Sequence, residues 1–271
     1  MNTPRVACST SAFKLPLAQA LARVAVVGFS HVDVICIESW GHVSLPRLAR
    51  DYAAHAAEIA ALLAQYALTP VALNMAFTHH PHQRSEEATR TRLAEARGAA
   101  RLMQQLGVQV ASFYPGYKVE DRAWADVRRD TLATLKELQV VADDAGVVFA
   151  PEPHHATPLQ TLPCIMEVLD AMPELRIAYD PSHFAMQGLD VRDTAALLDR
   201  AAHVHVRDAR PDVMYAPCGT GTVDMAWLVQ ALAARAYRGW ISIECLPKAG
   251  ADVEHDIAVL RQTVVGREGA T

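Results

Sequence analysis

Residues 146–152 read GVVFAPE, and this short segment contains the pattern that decides the fold. A glycine follows a helical stretch over residues 121–145, a run of apolar residues comes next, and an acid, Glu152, ends the run. Such a glycine is typical of a helix C-terminus, and such a run is typical of a strand buried in a parallel sheet. The segment therefore predicts a junction of helix and strand, with a polar side chain where the strand ends.

The same alternation of helix and strand extends in both directions from this segment. Predicted strands cover residues 6–9, 32–37, 70–75, 108–113, 147–150, 175–179, 203–206 and 240–243. Predicted helices cover residues 17–27, 47–66, 86–106, 121–145, 158–171, 191–200, 224–235 and 253–265. Alternation of this kind implies a parallel sheet, and eight such units favour a single (β/α)8 TIM barrel. The alternative is an open doubly wound sheet, but the first strand lacks the glycine-rich phosphate turn usual there.

Length and composition agree with one α/β barrel. The chain has 271 residues, about the length such a barrel needs, and no linker divides it, so we expect one domain over residues 1–271. A net charge of −5 argues against a nucleic-acid-binding surface. No apolar run is long enough for a membrane span, and the first 14 residues lack the apolar region of a secretory signal. We therefore expect a soluble cytoplasmic protein.

Four predicted strands end in a side chain that can bind a metal. They are Glu152, Asp180, His205 and Glu244. Neighbours in this set are 28, 25 and 39 residues apart, close to the roughly 30 residues of one βα unit. Because parallel strands in a barrel end at one rim, the four side chains are expected to meet. Three carboxylates and one imidazole favour Mn²⁺, Mg²⁺, Co²⁺ or Zn²⁺. Each acid taken alone is also compatible with a helix N-cap or a loop charge.

Longer motifs surround these positions. Residues 151–154 read PEPH, residues 180–183 read DPSH, and residues 203–208 read HVHVRD. Residues 219–224 read GTGTVD, and residues 237–244 read YRGWISIE. In this order the motifs resemble those of the xylose isomerase-like barrel family. That family contains sugar isomerases, ketose 3-epimerases, inosose and dehydroshikimate dehydratases, and apurinic-site endonucleases.

The resemblance implies roles for individual residues. Glu152, Asp180, His205 and Glu244 would bind one divalent metal ion, and His183 would face the substrate from the same rim. Arg207 and His154 are further candidate substrate ligands, although Arg207 is equally compatible with a charge at the rim. His203 lies two residues before His205, which places it on the same strand face one layer deeper. Both an interior histidine and a second ligand remain open for it.

The chemistry implied by this site is proton transfer next to a carbonyl. A divalent ion that binds a carbonyl and a neighbouring hydroxyl acidifies the C–H between them and stabilises an enediolate. Glu152 and Glu244 can then remove and return the proton, which isomerises or epimerises a sugar or related hydroxy-ketone. Protonation of a β-hydroxyl instead would release water, so a dehydratase of a cyclic polyol ketone of the inosose or dehydroshikimate type is the alternative. We expect a small sugar-like substrate in carbohydrate metabolism, and a homo-oligomer is compatible with the sequence.

Some positions depart from particular branches of the family. Ketose 3-epimerases carry a second acid shortly after the strand-five glutamate, whereas residues 154–158 read HHATP. Endonucleases of the family bind three metals and need extra histidines, and residues 113–116, FYPG, provide none. The histidines of residues 79–82, HHPH, form either a substrate loop or a solvated turn. A non-catalytic barrel is disfavoured because a simple binder does not need two acids beside the ion.

Overall fold

A computed structural model describes residues 3–118, 120–248 and 252–266. Its strands are β1 (Arg5–Ser9), β2 (His31–Cys36), β3 (Thr69–Met75), β4 (Val110–Phe113), β5 (Val148–Pro151), β6 (Ile177–Tyr179), β7 (Ala201–Val206) and β8 (Trp240–Ile243). Its α-helices are α1 (Leu17–Val26), α2 (Leu45–Arg50), α3 (Tyr52–Gln65), α4 (Glu86–Leu106), α5 (Trp124–Ala145), α6 (Leu162–Ala171), α7 (Ser182–Ala185), α8 (Met225–Ala234) and α9 (Val253–Val265). Three 3₁₀ helices cover Thr10–Ala12, Glu38–Trp40 and Val191–Arg200.

The strands form one sheet in the order β5-β4-β3-β2-β1-β8-β7-β6. All the paired neighbours are parallel. The two end strands, β5 and β6, lie beside each other, so the sheet nearly closes into a barrel with helices between its strands. The predicted TIM barrel is therefore confirmed. Its C-terminal rim, where the carboxyl ends of all the strands meet, is the rim on which the candidate residues were expected.

The barrel interior changes from apolar to polar toward this rim. A small apolar cluster, separate from the main core, contains Ala72, Val110, Ala150 and Ala178. Side chains two residues apart in a strand share a face, so each of these residues has a polar neighbour one layer higher. Those neighbours are Asn74, Ser112, Glu152 and Asp180, and none is more than 5% exposed. The floor of the site is thus apolar, whereas its walls carry acids and amides.

The helices follow the predicted pattern with two differences. The predicted helix 47–66 is two helices, because Asp51 has φ −136° and ψ 61° and ends α2 before α3 begins. Residues 191–200 form a 3₁₀ helix and not an α-helix, starting from Asp190, which accepts a hydrogen bond from the Arg192 N–H. One backbone conformation at Asp51 and one side-chain cap at Asp190 set these two boundaries, and a 3.6-residue periodicity reveals neither.

Two predicted helix ends lie at glycines as expected. Gly107 ends α4 with φ +72°, and Gly146 ends α5 with φ +66°, a left-handed conformation that side chains with a Cβ rarely adopt. The chain therefore turns sharply from each helix into the next strand. Among the helices of the described residues, none is both long and apolar enough to cross a membrane.

Candidate active site

The four predicted metal ligands lie at the C-terminal rim. Glu152 directly follows β5, Asp180 directly follows β6, His205 lies in β7, and Glu244 directly follows β8. None of the four is more than 5% exposed. Burying an acid without a partner costs free energy, so the contacts of each acid determine its role in the site.

His205 lies at the centre of one group of potential ligands. Its Nδ1 is 2.8 Å from Glu152 Oε1 and 3.5 Å from Glu244 Oε2. Ligand atoms of these three residues all lie within 4.8 Å of one another. Glu152 and Glu244 are on strands separated by β6 and β7, and they approach the same ring nitrogen. The structure thus brings three of the four predicted ligands into one cluster.

Asp180 joins this cluster through Arg207. The Arg207 guanidinium lies 2.7 Å from Asp180 Oδ2 and 2.5 Å from Glu244 Oε2, and its Nε donates to Ser182 Oγ at 2.9 Å. The other oxygen of Asp180 accepts the Ser182 N–H at 2.8 Å. Arg207 was predicted to contact substrate, and here it neutralises two of the predicted metal ligands.

His183 and His154 form the next layer toward the mouth. Their ring centroids are 3.7 Å apart, and His183 Nε2 accepts a hydrogen bond from Arg207 at 2.9 Å. His154 Nδ1 donates to the His155 carbonyl at 2.7 Å, which leaves its Nε2 as the free acceptor. Ligand atoms of Glu152, His154 and His183 also lie within 4.8 Å of one another. Both imidazoles are therefore placed beside the predicted reaction centre.

Burial and neighbouring charges shift the pKa values of the two glutamates in opposite directions. Burial raises the pKa of Glu244, and the positive charges of His205 and Arg207 offset only part of this effect. Burial acts on Glu152 in the same sense, but the charge and hydrogen bond of His205 prevail and lower the pKa of Glu152. Burial lowers the pKa of His205, and the carboxylates of Glu244 and Glu152 reverse this and hold it well above its ordinary value. Two neighbouring carboxyls thus differ in how readily each holds a proton.

The residues fit a divalent cation. Asp180 Oδ2 receives no well-aligned hydrogen bond although Arg207 is close, so a buried acceptor oxygen remains available. Three carboxylates and one imidazole match the oxygen and nitrogen donors that Mn²⁺, Co²⁺ and Zn²⁺ accept. The three acids outnumber the one guanidinium of Arg207 among them, so a further cation would offset the remaining repulsion between them. The donor set is therefore suited to a single ion between β5 and β8.

Two residues of the site were missed by the sequence analysis. Asn74 of β3 donates from Nδ2 to Glu244 Oε1 at 2.8 Å, and Asp33 of β2 accepts from His205 Nε2 at 3.0 Å. Each lies between apolar neighbours in its strand, Asn74 in TPVALNM and Asp33 in HVDVIC, and that interruption is the only signal in the sequence. His203, left open above, is fully buried beside Asp33 and Ser242, and the ligand atoms of Asp33, His203 and His205 lie within 4.8 Å of one another, so both alternatives stay open.

The histidine loop of residues 78–85 lies beside the mouth of the site. Fully buried Arg92 donates to the carbonyls of His80 and Gln83, both at 3.1 Å. The His80 ring contacts Tyr114 edge to face, and Tyr114 in turn contacts His154 at a centroid distance of 5.0 Å. The loop is thus held in place and connected to the site by aromatic contacts, so a freely solvated turn does not describe it.

The opposite side of the mouth is formed by the segment after β7. Asp208 Oδ2 accepts the backbone N–H groups of Gly219 and Gly221 at 2.8 and 2.9 Å. A Cβ at Gly221 would lie 1.9 Å from Asp208 Oδ1, so only glycine allows this approach. The GTGTVD motif therefore shapes the wall beside Arg207. A cavity in this wall is bordered by Tyr215, Cys245 and Lys248.

Comparisons with known proteins agree with this fold. The 3-keto-D-glucoside 4-epimerase of E. coli is 17% identical, with a TM-score of 0.74 over 96% of this chain and 99% of that chain. A D-tagatose 3-epimerase-like protein is 18% identical, with a TM-score of 0.76 over 96% and 97%. The IolI protein, solved with a zinc atom, is 17% identical, with a TM-score of 0.69 over 98% and 100%.

Sequence comparison assigns the family. No match was found among curated proteins. The family model described as the xylose isomerase-like TIM barrel matches residues 21–263, which is most of the chain. The chain therefore belongs to the xylose isomerase-like TIM barrel family.

Proposed function

We propose that this protein is a metal-dependent isomerase or epimerase of a sugar or a related hydroxy-ketone. The observation that carries the proposal is the approach of Glu152 and Glu244 to the same nitrogen of His205, at 2.8 and 3.5 Å. Two carboxylates beside one ion can remove a proton from a substrate carbon and return it. The epimerases among the structural neighbours support this choice of reaction class.

Four residues would hold the ion: Glu152, Asp180, His205 and Glu244. When bound, a divalent ion polarises a substrate carbonyl and its neighbouring hydroxyl and so acidifies the C–H bond between them. The zinc atom in the related IolI structure supports a site of this kind. Carboxylates bind Mn²⁺, Mg²⁺, Co²⁺ and Zn²⁺ alike, so metal-binding measurements are needed to identify the ion.

The neighbouring side chains would orient the substrate. The His154 ring lies 3.7 Å from that of His183 and offers Nε2 as an acceptor for a substrate hydroxyl group, and Arg207 donates to His183 and holds its ring. Asn74 holds one oxygen of Glu244, which fixes the direction of that carboxylate. Because all these groups are buried or half-buried, bulk water has little access to the proton during its transfer.

The test is solvent exchange. Metal-reconstituted protein is incubated with hydroxy-ketones and cyclic ketones in deuterated water, and deuterium at each carbon is measured by NMR. We expect exchange at one carbon, together with a new isomer, and a loss of about 10²- to 10⁴-fold in rate for Glu152→Gln and Glu244→Gln. A product that lacks one water would assign the dehydratase reaction instead.

Two outcomes would contradict the proposal. Undiminished formation of the new isomer by Glu244→Gln would exclude the two-carboxylate mechanism, and no exchange with any substrate would exclude proton transfer at carbon. Glu86→Gln is the control, because Glu86 is an exposed residue of α4 far along the chain from the acids of the site. Circular dichroism and metal content, measured on each variant, separate lost catalysis from lost folding or lost metal.

A further inference from the structure

A second polar cluster lies behind the candidate metal ligands and shares His205 with them. It consists of Asp33 of β2, His203 and His205 of β7, and Ser242 of β8, all fully buried. Asp33 Oδ2 is 3.0 Å from His205 Nε2 and 3.3 Å from His203 Nε2. Ser242 Oγ is 2.9 Å from His203 Nε2. A buried carboxylate thus faces two imidazoles.

The arrangement determines where the imidazole protons are. A carboxylate oxygen accepts and does not donate, so both Nε2 atoms that face Asp33 carry hydrogen. His203 Nδ1 is buried without a hydrogen-bond partner, which agrees with a neutral ring protonated at Nε2.

This proton placement decides which nitrogen His205 presents to the rim. Because Asp33 keeps hydrogen on Nε2, Nδ1, which faces Glu152 and Glu244, is the nitrogen that would give up its hydrogen to bind an ion. A hydrogen-bond acceptor behind a ligand histidine fixes both its tautomer and its ring orientation. An apolar residue at position 33 would leave the ring free to rotate and to bind through either nitrogen.

We propose that Asp33 is a positioning residue that holds the Nε2–H of His205 and so directs Nδ1 toward the divalent ion. The inference rests on the function proposed above for the choice of ligand, but the position of the proton can be tested without metal. Asp33 does not touch substrate, and it acts only through His205. Ser242 supports His203, the other ring held by the same carboxylate.

The first experiment observes the protons directly. Metal-free protein labelled with ¹⁵N-histidine is examined for slowly exchanging Nε2–H signals in wild type, Asp33→Asn, Asp33→Ala and Ser242→Ala. We expect two such signals in wild type, loss of both in Asp33→Ala, and weakened signals in Asp33→Asn, which keeps a neutral acceptor. Ser242→Ala is expected to shift only the signal of His203.

The second experiment measures the affinity for Zn²⁺ by calorimetry with the same variants. We expect the Kd to rise about 10- to 100-fold in Asp33→Ala and less in Asp33→Asn. Ser112→Ala is the matched control, because Ser112 is an equally buried residue of the barrel interior that bonds the Leu73 carbonyl and not His205. Its Kd is expected to stay within about twofold of wild type.

The outcomes separate this inference from the proposed function. Unchanged Nε2–H signals in both Asp33 variants would overturn the positioning role, whatever the affinity for zinc. Lost signals with an unchanged Kd would also overturn it, because the ligand nitrogen would then not depend on Asp33. If wild type bound no divalent ion, the proposed function would fail, and so would the part of this inference that concerns the ion. If Asp33→Ala does not fold, the isosteric Asp33→Asn decides both measurements.

Discussion

Arg207 is the residue on which the charge of the site depends most. Its guanidinium lies between two buried carboxylates, 2.7 Å from Asp180 and 2.5 Å from Glu244. The carboxylates of Asp180 and Glu244 in turn raise the pKa of Arg207, against the effect of its burial. At the scale of a single side chain, the site is therefore balanced by one internal cation, and its removal leaves two acids unpaired.

We expect Arg207→Ala to lower the free energy of unfolding by about 3–5 kcal/mol, the usual cost of breaking a buried ion pair. Arg207→Lys should lower the free energy of unfolding by less, because lysine keeps the positive charge. It should still lower it, because lysine lacks the forked geometry of the guanidinium. Urea denaturation at pH 7 measures both. Arg210→Ala, an exposed arginine three residues away, is the control. An equal decrease in the free energy of unfolding for Arg207→Ala and Arg210→Ala would show that the buried ion pairs of Arg207 do not contribute to stability.

At the scale of elements, the histidine loop depends on contacts with α4 and α5. Arg84 in this loop forms two hydrogen bonds to Glu137 of α5, both at 2.7 Å. Thr134 of α5 donates to the Pro81 carbonyl at 2.7 Å, and Arg92 of α4 reaches the same hydroxyl. Two neighbouring helices thus hold one side of the mouth, although neither helix carries a predicted ligand.

The pair Arg84–Glu137 predicts a pH dependence. The hydrogen bonds from Arg84 lower the pKa of Glu137 below its ordinary value of 4.5, against the smaller opposing effect of burial. Because the pKa of Glu137 is lower in the folded than in the unfolded protein, the ion pair stabilises the fold fully above pH 4.5. This stabilisation is lost as the pH falls through the pKa of Glu137 in the folded protein. We expect Glu137→Gln to cost about 0.5–1 kcal/mol at pH 7, because the pair is partly exposed.

The measurement is urea denaturation of wild type and Glu137→Gln between pH 3 and pH 7. The difference in free energy of unfolding between wild type and Glu137→Gln should shrink as the pH drops below the ordinary pKa of glutamate, because wild type then loses the ion pair too. Glu86→Gln is the control, since the Glu86 side chain is 96% exposed and its contact with Arg90 is 3.7 Å long. A difference that stays constant with pH would contradict the assignment.

At the scale of the whole molecule, the barrel brings distant segments together around the candidate metal ligands. Asp33 and His205 are 172 residues apart in sequence, and Asn74 and Glu244 are 170 apart. A ligand that binds only the folded barrel stabilises it by about 2.7 kcal/mol at a free concentration 100 times its Kd. We therefore expect a chelator to lower the melting temperature and one equivalent of divalent ion per chain to restore it.

Metal analysis after dialysis gives the stoichiometry. One ion per chain in wild type and none in His205→Ala is the expected result. Three tightly bound zinc ions per chain would instead support the endonuclease branch of the family, and an unchanged melting temperature with every ion would exclude the metal site. His255→Ala is the control, because His255 is an exposed residue of α9.

Much of the fold and part of the site could be predicted from local sequence. The eight strands were predicted because apolar β runs end at turns, and the ends of α4 and α5 because Gly107 and Gly146 follow them. Glu152, Asp180, His205 and Glu244 stood out because a polar residue directly after a buried strand is conspicuous. Their assignment as metal ligands stays a prediction. The break at Asp51 was missed because it depends on one backbone conformation.

The sequence by itself determined the order of strands and helices and the four polar side chains that belong to one rim, because both follow from local patterns of apolar and polar residues. Only the tertiary structure decided that Arg207 bridges Asp180 and Glu244, that Asn74 holds Glu244, and that Asp33 lies behind His205. The contacts of Asn74 and Asp33 join strands from opposite parts of the chain, and those of Arg207 join neighbouring strands. Closure of the sheet sets their distances, and no local pattern records which strands will face each other across the barrel.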